Sequence, residues 1–191
     1  MKKKILLAIS IMMMFLLTAC NNEGTQAEST IDFDFIKHTG VSFENIYNEM
    51  GLKENTLIAS KGVGRYDYAE LVTYDEYEFT KYLMFGKYNN YDSALYGGGY
   101  VYVSETKDEA CVSMLKELKV DLAEQYGEPS TYPGLPNTID SIGNIEECQI
   151  GAAFKDTWSV TGDKPGEITL SLTVLEKGLS INVMYSVSVT R

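Results

Sequence analysis

Two stretches toward the C-terminal end alternate apolar and polar residues with a period of two: Ile168, Leu170, Leu172 and Val174, then Leu179, Ile181, Val183, Tyr185 and Val187. That period puts every apolar side chain on one face of a strand. Joined through Glu176-Lys177-Gly178, the pair predicts an antiparallel hairpin that covers a core with one face and meets water with the other. The period lengthens to that of a helix at Cys111, Leu115, Leu118 and Leu122, which form an apolar stripe along a helix of about twenty residues. Thr106 and Glu109 have capping-box spacing at its start, and Gly127 and Pro129 stop it. A shorter helix is predicted where Phe43, Ile46, Tyr47 and Met50 precede Gly51, with Ser42 as N-cap and Val41 stapled onto Ile46.

Between the helices, Leu57–Ser60, Tyr66–Tyr74, Tyr77–Phe85 and Leu95–Val103 are dense in Tyr, Val and Phe and are separated by Gly and Asn, the composition of an antiparallel meander. After the long helix, Cys148, Ile150, Ala152 and Phe154 alternate and lead on to Trp158 and Val160, which predicts a further strand. Phe33 and Phe35 alternate with Asp32 and Asp34 as a short edge strand or the end of a linker. The expected fold is α+β: an antiparallel sheet of about six strands with two helices packed on one face, one domain over residues 31–191. A helix opening each half of the sheet resembles, by order of elements alone, the β-lactamase-inhibitor-like domains of small envelope lipoproteins.

The first residues follow a different logic. Lys2, Lys3 and Lys4 precede an apolar run from Ile5 to Leu17, shorter than the roughly 20 residues a membrane-spanning helix needs and typical of a secretory signal. The run ends in Leu17-Thr18-Ala19-Cys20, which resembles the lipobox of bacterial lipoproteins. That resemblance implies removal of residues 1–19, a diacylglycerol on the Cys20 thiol, and residence on the outer side of the cell membrane. Residues 20–30 carry nothing large and apolar and read as a flexible tether with a reach of about 15–20 Å.

Charge narrows the partners. Three of the 16 basic residues and none of the 27 acids lie in residues 1–19, so the remainder carries 13 against 27, a formal charge of −14. Nucleic acid and anionic headgroups both require clustered Lys and Arg, so neither is expected as a partner, whereas cationic partners are favoured. His38 is the only histidine and lies close to the tether, which argues against a Ser-His-Asp or Cys-His centre and against zinc. Gly62-Val63-Gly64 and Tyr96-Gly97-Gly98-Gly99-Tyr100 lack the spacing and the Lys-Ser/Thr ending of a phosphate loop and read as bends or bulges. The acid pairs Asp75-Glu76 and Glu146-Glu147 are expected on solvated edges, and no cofactor is expected. In an exported protein Cys111 and Cys148, both on apolar stripes, are candidates for a disulfide. Ten of the 14 tyrosines fall between Tyr66 and Tyr102. Tyr favours strands, so these read first as ordinary sheet filling; with Val101 and Val103 turned to the core, Tyr96, Tyr100 and Tyr102 would instead form an exposed binding surface for a protein, peptide or glycan. The functional expectation is a membrane-anchored, non-enzymatic binding module. A carboxylate-based hydrolase of envelope polymers and a purely structural envelope component are the alternatives.

Overall fold

The hairpin read from the C-terminal alternation forms the reference frame of the fold. A computed structural model describes residues 31–60, 62–88, 91–130 and 137–188. It contains seven strands, β1 (Leu57–Ala59), β2 (Arg65–Tyr74), β3 (Tyr77–Tyr88), β4 (Tyr91–Ser104), β5 (Ala153–Val160), β6 (Gly166–Leu175) and β7 (Gly178–Val187), and two α-helices, α1 (Phe43–Glu49) and α2 (Glu109–Tyr126). The strands make one antiparallel sheet in the order β1-β2-β3-β4-β7-β6-β5. Two meanders, β1–β4 and β5–β7, are fused where β4 pairs with β7. The chain leaves β4 through α2, re-enters at the far edge as β5, and works back to lie beside β4.

Every apolar residue of the two predicted alternating rows is buried, from Ile168 to Val174 on β6 and from Leu179 to Val187 on β7. Residues directly opposite in a ladder share a face, so these rows define a core face for the whole sheet. On the core side α2 contributes Cys111, Val112, Met114, Leu115, Leu118 and Leu122, and α1 contributes Ile46, all joined with the strand residues in one core. Burying an aliphatic side chain of this size stabilises by about 1.5–3 kcal/mol. Among the described residues no helix is long and apolar enough to cross a membrane.

Several expectations change in detail. The sheet has seven strands rather than about six. Helix α2 is capped by Asp108, whose side chain accepts from the Ala110 N–H at 2.9 Å, and not by a Thr106–Glu109 box. Glu109 is occupied elsewhere, since its Oε1 accepts from the Ile145 N–H at 3.1 Å. Ser42 precedes α1 without a side-chain cap bond. Its backbone bridges Ala94 instead, with the neighbouring Val41 carbonyl accepting from Leu95. The alternation around Phe33 and Phe35 belongs neither to an edge strand nor to the tether: Asp34–His38 is a 3₁₀ helix, and both phenylalanines are buried. The alternation at Cys148–Ala152 also fails as a strand. A 3₁₀ turn at Ile145–Glu147 precedes it, Ile150 is 66% exposed, and β5 begins only at Ala153.

The triple glycine is not a bend. Gly97, Gly98 and Gly99 sit in the middle of β4, paired to β3 on one side and β7 on the other. Glycine inside a strand marks a close approach, and here both faces need one. On the core face Phe35 packs onto Gly98, its ring tip only 3.1 Å from where a β-carbon would stand. On the opposite face Tyr82 pairs with Gly99 and extends past it to β7, donating its hydroxyl to Asn182 Oδ1 at 2.8 Å.

Candidate binding surface

The register of β4 decides where its tyrosines point. Tyr100 lies opposite Val183 and Tyr102 opposite Ile181, both committed to the core face, so the tyrosines face inward and Val101 and Val103 face out. Sheet filling therefore holds for Tyr100 and Tyr102, and the alternative of an exposed surface built on Tyr96, Tyr100 and Tyr102 is not formed. Tyr100 is 2% exposed and donates its hydroxyl to the backbone carbonyl of Asp32. Tyr102 is half-buried, with its ring 5.5 Å from that of Phe79 and 5.4 Å from that of Tyr77. Tyr96 is the extra residue of a bulge, half-buried with its ring over Gly86. Burial raises Tyr100, and the charges of Asp34 and Asp32 add to it. Burial also raises Tyr102, with the adjacent Cys111 thiol contributing next.

The disulfide expected between Cys111 and Cys148 is not formed; both are free thiols. Cys111 is buried on α2 beside Tyr102. Cys148 lies in the loop ahead of β5 rather than on a strand beneath α2. Its thiol approaches the Asn144 carbonyl at 3.5 Å, and its own carbonyl accepts from Lys107 Nζ at 2.9 Å. The acid pairs are solvent-exposed as expected, Asp75-Glu76 in the β2–β3 turn and Glu146-Glu147 on a 3₁₀ turn. His38 closes the 3₁₀ helix that starts at Asp34. Cys20 lies outside the described residues.

Two cation clusters that the sequence did not announce hold elements to the core. Lys81 stands on the core face opposite Tyr100, 12% exposed, with Nζ 2.7 Å from Asp34 Oδ1 and 5.1 and 5.8 Å from the ring centres of Tyr68 and Tyr100. With the Tyr100–Asp32 bond, and with Lys164 Nζ donating to the Thr39 carbonyl at 2.7 Å, it fixes the segment from Ile31 to Thr39. The Tyr68 hydroxyl is buried beside this cluster and makes no hydrogen bond among the described residues. The second cluster joins α2, β5 and the 3₁₀ turn Ile139–Ser141, with Lys119 Nζ 2.5 Å from Asp140 Oδ2 and 2.9 Å from Asp156 Oδ2. Asp156 is 7% exposed between Phe154 and Trp158, and the lysine is its charge partner although the pair lacks good hydrogen-bond geometry. Burial works against charge on Lys119, but the hydrogen bond to Asp140 and the ion pair with Asp156 outweigh it and raise the ammonium above its ordinary range. Lys119 is therefore held as a cation and serves as a clamp, not as a base.

The sheet face opposite the helices differs in kind. Its rows are largely Ser, Thr and Asn on β6 and β7, for example Thr169, Ser171, Ser180 and Asn182, and they turn apolar toward β2–β4. There Leu71 and Val103 stand 53% and 58% exposed, with Thr80 and Val101 paired between the two strands' rows. A depression of about 460 Å³ opens at this end, with Leu71, Thr73, Glu78 and Val103 on the sheet and Glu76, Tyr77 and Tyr102 at its rim. Among the described residues two carboxylates line it and no Lys or Arg does. The alternation in β4 could have located this surface only with the faces of Tyr and Val exchanged, and Leu71 carried no sequence signal because a bulge between Asp67 and Leu71 shifts its register. No protein-family model matches the chain, and no curated protein or solved structure is significantly similar to it.

Proposed function

We propose that this chain is a lipid-anchored, extracytoplasmic binding module that presents the uncovered face of its sheet to another envelope or extracellular molecule. One observation carries the reading: a seven-stranded sheet covered by helices on one face leaves Leu71 and Val103 more than half exposed on the other, beside a depression. A soluble domain tolerates scattered exposed apolar residues, but two that line one concavity mark a contact surface. The Leu17-Thr18-Ala19-Cys20 sequence supports the anchor. The segment Ile31–His38 packs on the core side, so a chain tethered through Cys20 leaves the opposite face free.

A photo-crosslinking residue placed in living cells at Val103 tests this, compared with the same residue at Val120 or Ile150, which are equally exposed but lie away from this face. Discrete adducts at Val103 and none at the other two positions are expected; equal labelling at all three ends the proposal. The anchor has its own test: Cys20→Ser should abolish the lipid-modified N-terminus seen by mass spectrometry and release the protein from membranes.

A further inference from the structure

Resting on the reading of the open face as a docking surface, we infer that its occupant is a basic, amphipathic peptide segment of a partner protein, bound extended with apolar side chains on Leu71 and Val103 and a Lys or Arg beside Glu76 and Glu78. Three observations select this chemistry. The depression combines exposed aliphatic carbon with two carboxylates and, among the described residues, includes no cationic side chain. An acidic partner there would bring like charges together, which costs several kcal/mol and excludes wrong partners.

Its shape suits a strand-like segment. Val103 of β4 stands two residues beyond Val101, whose row runs through Thr80 of β3 to Leu71 of β2. That row crosses the sheet at strand spacing, about 4.8 Å per step. An extended segment laid across it turns every second side chain downward, so a segment whose downward positions are apolar and basic by turns meets the aliphatic and acidic positions.

The surrounding field acts in the same direction. The mature chain carries −14, and exposed Glu105 and Asp108 follow Val103 at the same end of the sheet. Such a field accelerates encounter with a cation, while the aliphatic contact governs how long the complex lasts.

The test uses the full lipidated chain in nanodiscs of zwitterionic lipid, with empty discs subtracted. The probe is a short labelled peptide repeating Val-Ser-Lys-Ser (the Lys-Val peptide), and its controls carry Glu in place of Lys (the Glu-Val peptide) or Ser in place of Val. The Lys-Val peptide is expected to bind with association that slows as salt rises, and both controls to bind at least about tenfold more weakly. Glu76→Lys with Glu78→Lys should slow association about tenfold or more, whereas Leu71→Ser and Val103→Ser should mainly speed dissociation. Glu146→Lys with Glu147→Lys makes the same charge change on another element and should leave dissociation unchanged and association within about threefold. If that distant pair weakens binding as much as the pair at the depression, attraction is diffuse and the inference is overturned. If the Glu-Val peptide binds as well as Lys-Val while crosslinks at Val103 persist in cells, the basic partner is wrong and the docking surface stands. Loss of those crosslinks removes both.

Discussion

Strands β7 and β4 lie side by side, paired residue for residue, and obey opposite rules. On β7 Leu179, Ile181, Val183, Tyr185 and Val187 face the core, and Ser180, Asn182, Met184 and Ser186 face away. On β4 Tyr100 and Tyr102 face the core and Val101 and Val103 face away. The difference shows which effect chooses a strand's face. Burying Val rather than Tyr at one position changes stability by little, since both gain from burial. Slipping β4 by one residue against Leu179, Ile181, Val183 and Tyr185 would place every one of its side chains on the wrong face. The neighbour's committed row wins, and β4 adapts by giving its tyrosine hydroxyls partners: Tyr100 finds the Asp32 carbonyl.

That contrast breaks most completely at Gly98. Gly98→Leu places a large side chain into Phe35 and the backbone of Tyr82, and loss of more than about 4 kcal/mol is expected, seen as failure to unfold cooperatively on heating. Tyr100→Ala should cost about 3–5 kcal/mol by denaturant titration, as for other buried aromatic residues. Tyr100→Phe keeps the ring but leaves the Asp32 carbonyl without its donor, and should cost about 1–3 kcal/mol. Val103→Ser on the outward face should stay within about 0.5 kcal/mol. A Val103 effect larger than that of Tyr100→Phe would reverse the two faces of β4 and with them the docking surface.

Alkaline titration sharpens the same point across the sheet. Burial raises Tyr82 and Tyr185 from 10.0 to about 12, and Tyr68, Tyr74 and Tyr100 are pushed up as well. The unfolded chain loses these protons near pH 10 while the folded chain still holds them. Their contribution is therefore complete below pH 10 and lost as pH rises through the folded values. Unfolding in that window should coincide with a cooperative rise of tyrosinate absorbance; a gradual rise beginning at pH 10 in the folded protein would mean that these rings are exposed.

The sequence made legible whatever depended on local period. The β6 and β7 rows and the α2 stripe are buried where their alternation placed them, because each is long enough for its pattern to outvote local noise. Short patterns misled. Phe33 and Phe35 alternate, yet they fold into a 3₁₀ helix because Gly98 and the Tyr100 ring offer them a seat from outside the segment. Cys148 and Ile150 alternate without any sheet edge to join. The Lys81–Asp34 and Lys119–Asp156 pairs unite residues far apart in sequence, and nothing in the composition around either residue signals its partner. The surface at Leu71 and Val103 depends on a bulge in one strand and the register of another, and neither is a property of a single stretch.

The seating of Ile31–His38 has a mechanical consequence. A pull delivered to the chain ahead of Ile31 does not first meet β1 or β5, the strands whose loss would unzip the sheet from its sides. It passes through Asp34 to Lys81 on β3, through Asp32 to Tyr100 on β4, and through Phe35 to Gly98 and Tyr185. These positions lie on the three central strands, each paired on both flanks. Load on the segment Ile31–His38 is thus shared by many ladder bonds at once, and the domain resists tension from that end where it is built most firmly.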